Sequence, residues 1–418
     1  MTDPPAWLEI SGIGVVGAAG RHVGELTDAL RTGRTAIAET GAPAPAYGAC
    51  LADVDLSERL AWLKERGLPH DLARRATKLA ARSPLPVRAA VCAALEAWLD
   101  ADLIRAPHPP DRVGLVVAGH NLTGHHADEL RPAFERNPAH LSPRFALHCQ
   151  DTDHVGTLSA LLGLRGEGFT VGGASASGAL GIIMAARQIQ CGAVDACLVV
   201  GALTRLTGME AGGLVNIGAL AGRDGGAPGA PFDVRHRGFV PGEAAAALFL
   251  EPVARAHSRT PHALLAGFAT RLDGNALADP SQEGEAAVMR GALDAAGITP
   301  EHVGYLNAHG TASPRGDATE LAAVREVFGP AVGALRINST KAVTGHCLAA
   351  AGVVEAVATA VQLRRGFLHH VPGLERPVDE GLRFVRGGAE QRRVRFALSN
   401  SFGFGGINAS LLLAAARR

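Results

Sequence analysis

The sequence predicts an α/β protein built from two similar halves, and three observations carry that expectation. Continuous apolar runs that read as strands, among them LEISGIGVV, VGLVVAG, FTVGGAS and DACLVVGAL, alternate with alanine-rich helical runs such as VRAAVCAALEAWLDA and SGALGIIMAARQIQ. Uninterrupted apolar strands between helices indicate βαβ units and a covered, largely parallel sheet. The order of elements then repeats, because a second series opens with ALLAGFAT after Glu251-Pro252 and continues through GEAAVMRGALDAAG, HVGYLNAHGT, RINSTKAVTGH and LAAAGVVEAVATAVQL.

The clearest echo pairs FTVGGASASGALGIIMAARQI with RINSTKAVTGHCLAAAGVVEAVATAVQL: each is a strand, a polar or glycine turn and a helix of small residues. It sets an expected boundary near residue 255, with halves 1–255 and 256–418. An Arg-, Ala- and Pro-rich insertion over about 20–85 reads as a helical excursion covering one end. The glycine-rich segment 203–242 is expected to lack regular structure and to pack over the site.

Composition narrows the function. The chain has 418 residues, of which 47% are hydrophobic, enough for a large core. Charged residues make up 19%, with 40 basic and 40 acidic side chains, so no long-range field points to nucleic acid or an anionic membrane. Six scattered cysteines lack CxxC or zinc spacing and read as reduced, mostly buried side chains of a cytosolic protein. The start shows neither a basic n-region nor an apolar h-region, so no signal peptide is expected. Gly168 to Ala186 and Phe396 to Ala416 are uncharged for about a membrane span, but their Gly, Ser and Asn content marks them as buried strand and turn elements.

Four segments concentrate chemistry. In NAHGTASPRGDATE, His309 sits between a strand and a glycine, where its ring can project into a cleft, and Glu320 follows near a helix start. In NSTKAVTGHCLAAAG, Lys341 and His346 stand five residues apart across a Thr-Gly turn. The SNSFGFGGINAS segment lets backbone N–H groups point at a substrate oxygen while Phe402 and Phe404 line it. In FTVGGASASGAL a buried strand enters a Gly-Gly-Ala turn and delivers Ser175 to a helix N-terminus, which stabilises developing negative charge. Each segment alone also has an ordinary reading: a satisfied histidine, a polar loop, a glycine-rich hairpin, and for Ser175 no GxSxG hydrolase pattern.

In combination, HGT…GDxxE, KxxxGH and NSFGFGG are specific, and the chain resembles the β-ketoacyl synthase family over essentially its whole length. ISGIGVVGAAG, RRATKLAARSP, PFDVRHRGFVPGEAAAALFLE and VDACLVVGA extend the resemblance. It implies a thiolase-like fold of two βαβ halves with stacked mixed sheets and helical layers, and a cytoplasmic homodimer. It also implies a catalytic set of Ser175, His309 and His346, organised by Lys341 and Glu320. Phe402, Phe404, Thr311 and Asn400 are expected to contact substrate. The family's nucleophilic cysteine falls on Ser175, and GEGAG has become Gly242-Glu243-Ala244-Ala245-Ala246.

Serine bears on one half-reaction only. Parking an acyl chain needs a nucleophile with anionic character, which a thiol of pKa near 8.5 offers and an alcohol does not. Decarboxylating a malonyl thioester needs only hydrogen-bond donors for an enolate oxygen, and the chain keeps both histidines. Cys-to-Ser homologues with a GGASASG-like elbow resemble the malonyl carrier protein decarboxylases of polyketide β-branching cassettes. That reading implies a substrate carried on the phosphopantetheine of an acyl carrier protein, with no cofactor bound by the chain itself. Two alternatives stay open: an acyltransferase or atypical condensing enzyme acylated on Ser175, and a non-catalytic partner subunit.

Other features read as structural. His120, His125 and His126 lack acidic or cysteine ligand spacing, so no metal is expected. Asp233, Arg237 and Glu243 brace loops, and Asp317 caps the helix leading to Glu320. Glu355 is either buried against Lys341 or a surface carboxylate. Arg74, Arg75 and Lys78 form either a local patch for an acidic carrier protein or a solvated helix face.

Overall fold

The computed structural model describes residues 7–42, 44–223, 226–253, 260–275 and 278–416; the boundary expected near residue 255 lies outside them. The amino-terminal series supplies β1 (Leu8–Gly17), β2 (Val113–Ala118), β3 (Gly168–Val171), β4 (Ala196–Gly201) and β5 (Ala244–Pro252). The second series supplies β6 (Ala263–Leu272), β7 (Val303–Asn307), β8 (Arg336–Asn338), β9 (Phe396–Gly403) and β10 (Ile407–Ala414). Across the sheet the strands run β8-β7-β9-β10-β6-β1-β5-β4-β2-β3. Counted outward from the centre, both halves have the order first, fifth, fourth, second, third.

In each half the second, third and fourth strands are parallel, while the fifth and first are antiparallel. The sheet is therefore mixed rather than largely parallel. Pairing of Leu8, Glu9 and Ile10 with Leu265, Leu264 and Ala263 joins the halves.

Helices α1 (Val23–Thr32), α2 (Leu56–Lys64) and α3 (His70–Ala80) fill the early insertion. Helix α4 (Leu85–Asp100) covers β1 and β5, and α5 (Gly124–Arg136) and α6 (Thr152–Leu162) follow β2. Helices α7 (Ser177–Gln190), α8 (Gly208–Asn216), α9 (Gln282–Ala296), α10 (Pro314–Phe328) and α11 (Ala351–Arg365) complete the set used below. Helix α8 corrects the expectation of no regular structure over 203–242. Its glycines cost helix propensity, but Thr207 and Glu210 close a reciprocal capping box that satisfies two otherwise unpaired N–H groups.

The apolar clusters define layers. One gathers α7, α11 and the central strands of both halves; the second lies under α2, α3 and α4; the third lies under α9 and α10. The two uncharged stretches are ordinary parts of this core: 168–186 is β3, the elbow and most of α7, and 396–416 contains the β9–β10 hairpin. Among the described residues no helix is long and apolar enough to cross a membrane.

Helices α7 and α11 touch at their amino ends through glycine. A Cβ on Gly178 would lie 2.6 Å from Val353 N, and one on Gly352 would lie 2.4 Å from Ala179 N. Gly178→Ala gains helix propensity but meets backbone that cannot move aside, so a net loss of about 1–3 kcal/mol is expected, read as a lower denaturant midpoint.

Candidate active site

That glycine contact brings the two echoing turns together. Strand β3 ends at Val171, and Ala174 then takes φ 47°, a left-handed conformation that costs a non-glycine residue on the order of 1 kcal/mol. Ser177 braces the bend: its hydroxyl accepts from Gly173 N at 2.8 Å and donates to Ala174 O at 2.7 Å. Ser175 rides on this elbow, just before α7. In the other half, β8 leads into a helical turn at Lys341–Thr344 and then His346. His346 N donates to Val240 O at 2.7 Å, and Gly242 N donates to His346 O at 2.8 Å. A Cβ on Gly242 would sit 2.2 Å from Thr344 O, so this clasp requires glycine.

His309 arrives from the end of β7. The Glu320 carboxylate, on α10, accepts from His309 N and Gly310 N, both at 2.8 Å, and from Asn400 Nδ2 at 3.0 Å. Burial raises the Glu320 pKa above the usual carboxylate value. Lys341 spends its ammonium on His309 O at 2.6 Å, His309 Nδ1 at 3.3 Å and the buried carboxylate of Glu355.

The rings of His309 and His346 stand 5.7 Å apart and nearly perpendicular, and Phe402 is 5.6 Å from His309. His346 Nε2 lies 2.8 Å from Ser175 Oγ. Burial first, and the nearby Lys341 cation second, hold both imidazoles well below pKa 6.5, so both are neutral at pH 7. Hydrogen bonds then assign the tautomers. Lys341 can only donate to His309 Nδ1, which places the His309 proton on Nε2. His346 Nδ1 is buried with no partner among the described residues, so its proton also belongs on Nε2, where Ser175 Oγ accepts it. The result is two neutral N–H donors at one cavity, with no carboxylate among the described residues orienting His346.

A family model for the beta-ketoacyl synthase amino-terminal domain matches residues 8–256, and one for the carboxy-terminal domain matches residues 262–375. The chain belongs to the beta-ketoacyl synthase family. Among its relatives, the polyketide biosynthesis malonyl-ACP decarboxylase PksF of Bacillus subtilis (strain 168) is 34% identical, over 97% of this chain and 95% of that one. The 3-oxoacyl-[acyl-carrier-protein] synthase 2 of Coxiella burnetii is 32% identical, with 97% of both chains covered. In three dimensions the chain is similar to a beta-ketoacyl synthase from Burkholderia phymatum, with a TM-score of 0.84, 27% identity, and 99% of this chain and 100% of that one covered. The thiolase-like fold expected from the sequence is thereby shown.

In this chain Ser175, His309, His346, Thr311, Phe402 and the half-exposed Phe404 line one cavity. Asn400 does not. It is wholly buried behind the wall, where its amide donates to Glu320 and its carbonyl accepts from Ser410 Oγ at 2.9 Å, so its expected contact with substrate is corrected to support of Glu320. Asp317 is likewise no cap: within α10 it accepts from Phe232 N, Ala312 N and His236.

Asp233 braces its loop by pairing with Arg235 and accepting from Glu375 N and Arg376 N, and Glu243 holds Arg205 and Leu51 N. Glu355 is buried on Lys341, deciding the alternative left open by sequence. His120 lines the cavity, whereas His125 and His126 face Glu129. Glu285, in the cavity wall, carried no motif signal.

Proposed function

We propose that the chain decarboxylates malonyl held as a thioester on the phosphopantetheine of an acyl carrier protein, leaving acetyl. The observation that carries this reading is the pair of neutral histidines presenting Nε2–H to one cavity beside a serine whose His346 neighbour has no carboxylate partner among the described residues. The bond from the α-carbon to the carboxylate breaks, CO2 leaves, and the electron pair moves to the thioester oxygen as an enolate. That oxygen takes the position of a hydrogen-bond acceptor shared with Ser175 Oγ, between the two N–H groups, each worth about 3 kcal/mol to developing negative charge. The electron pair returns to the α-carbon, which takes a proton from solvent water and completes acetyl.

Ser175 holds the His346 ring and makes no covalent bond. Lys341 fixes the His309 tautomer, Glu320 holds the His309–Gly310 backbone, and Phe402, Phe404 and Thr311 shape the pocket. The likeness to PksF, whose name describes this reaction, supports the assignment. A cytoplasmic homodimer with no cofactor of its own completes the reading.

Intact-protein mass spectrometry of this protein mixed with malonyl-loaded carrier protein tests it. The carrier is expected to lose CO2 while this protein stays unmodified; a stable mass gain on Ser175 would instead establish the acyltransferase. Ser175→Ala is expected to slow decarboxylation by only about two- to tenfold, the worth of one neutral hydrogen bond. A loss beyond a thousandfold would make the hydroxyl a reacting group.

A further inference from the structure

The cavity lining is of two chemical kinds. Phe239, whose ring lies 5.1 Å from that of His346, packs with Leu206 and Leu214 into an apolar part of the wall. Asp273, Asp279, Glu285, Thr311, Ser313 and Arg315 supply a polar part, in which the Arg315–Asp279 pair, 2.5 Å apart, is solvent-exposed. A carrier-borne thioester placed at the histidines must send its amide-bearing arm to the surface, and the polar part matches that arm's chemistry.

Glu285 stands in this polar wall, on the first turn of α9. The residue is 1% exposed, and its Oε2 has no hydrogen-bond partner among the described residues. A buried polar group without a partner is costly, so a merely structural side chain here would be apolar or paired. The charged groups around it are acidic: Glu320 and Asp317 on α10, and Asp273 after β6. Burial first and these carboxylates second push its pKa up to about 10, so at neutral pH the cavity wall carries a neutral acid with an O–H to donate.

We infer that Glu285 binds the substrate arm, donating its carboxylic O–H to an amide carbonyl oxygen of the pantetheine. The inference rests on the carrier-borne substrate proposed above, and its test separates the two. Wild type, Glu285→Ala and Glu285→Gln are compared in malonyl-carrier protein turnover and, independently of turnover, in calorimetric binding of acetyl-pantetheine. Loss of one hydrogen bond is expected to raise KM and the acetyl-pantetheine Kd about tenfold in Glu285→Ala, with kcat within about threefold, and Glu285→Gln, which keeps a donor, recovers most of the loss.

The two variants also report the protonation state. With its folded pKa above the unfolded value, Glu285 costs wild type stability progressively as pH rises from about 4.5 towards 10, a slope that Glu285→Gln removes. Unchanged KM and Kd in Glu285→Ala would overturn the inference, as would a fall in kcat alone in both variants, which would make Glu285 a proton donor. If wild type binds acetyl-pantetheine with this dependence but leaves malonyl intact, the decarboxylase reading fails while the arm-binding role stands.

Discussion

Alanine at His309 or at His346 is expected to lower decarboxylation by about 10²- to 10³-fold each, the loss found when one donor to an oxyanion is removed. In the proposed reaction the two donors act on one oxygen, so the double variant is expected to fall short of the product of the single losses. Single-turnover mass spectrometry of the carrier protein reads these rates without product release. The pH profile gives a second check. The active form of each ring is neutral, and burial with Lys341 holds both pKa values well below 6.5, so the rate should not rise between pH 6.5 and 8 through histidine deprotonation. A limb centred at 6.5 would show that at least one ring is solvated as in a free histidine, and would remove the basis for two preset donors.

The second large effect is on stability. Lys341→Met leaves Glu355, 1% exposed, without its cation, and breaking a buried pair in this way costs about 3–5 kcal/mol. Glu355 is already pushed up to about 7 by burial with the lysine present, and removing the lysine raises it further. A raised folded pKa means the carboxyl is tolerated while protonated, so the variant should be penalised little at pH 5 and increasingly as pH rises to 8. Denaturant midpoints at the two pH values measure this, and Glu355→Gln in the Lys341→Met background should recover part of the loss. Equal penalties at both would show that the buried charge is not the cause. Activity should fall as well, because His309 Nδ1 loses the donor that fixes its tautomer.

The side chains that meet at the cavity were legible because they sit in short motifs with turn chemistry: Ser175 after Gly-Gly-Ala, His309 before Gly310, and His346 after Gly345. What failed was any inference that needed a neighbour from elsewhere in the chain. Asn400 lies two residues before Phe402 and on the same face of β9, yet further back along the strand, where Met289 and Glu320 cover it and close it off from the cavity. Asp317 looks like a helix cap by position, but two of the three donors it accepts from come from the 232–236 loop. Helix α8 was hidden by its glycines, although Thr207 and Glu210 spell the capping box that offsets them. Glu285 had no local signal, since an acidic residue in a first helical turn is ordinary on a surface and unusual only when buried.

The sequence by itself determined the alternation of apolar strands with small-residue helices, the doubling of that series and the inventory of reactive side chains, because these follow from local pattern and residue type. Tertiary structure alone decided that Ser175 meets His346 across 171 residues, that Lys341 faces both His309 and Glu355, and that both imidazoles are neutral. The physical reason is that hydrogen-bond partners and protonation states depend on what is packed around a group and how far water is excluded. Both are set only when the Gly178–Gly352 contact closes one half of the chain onto the other.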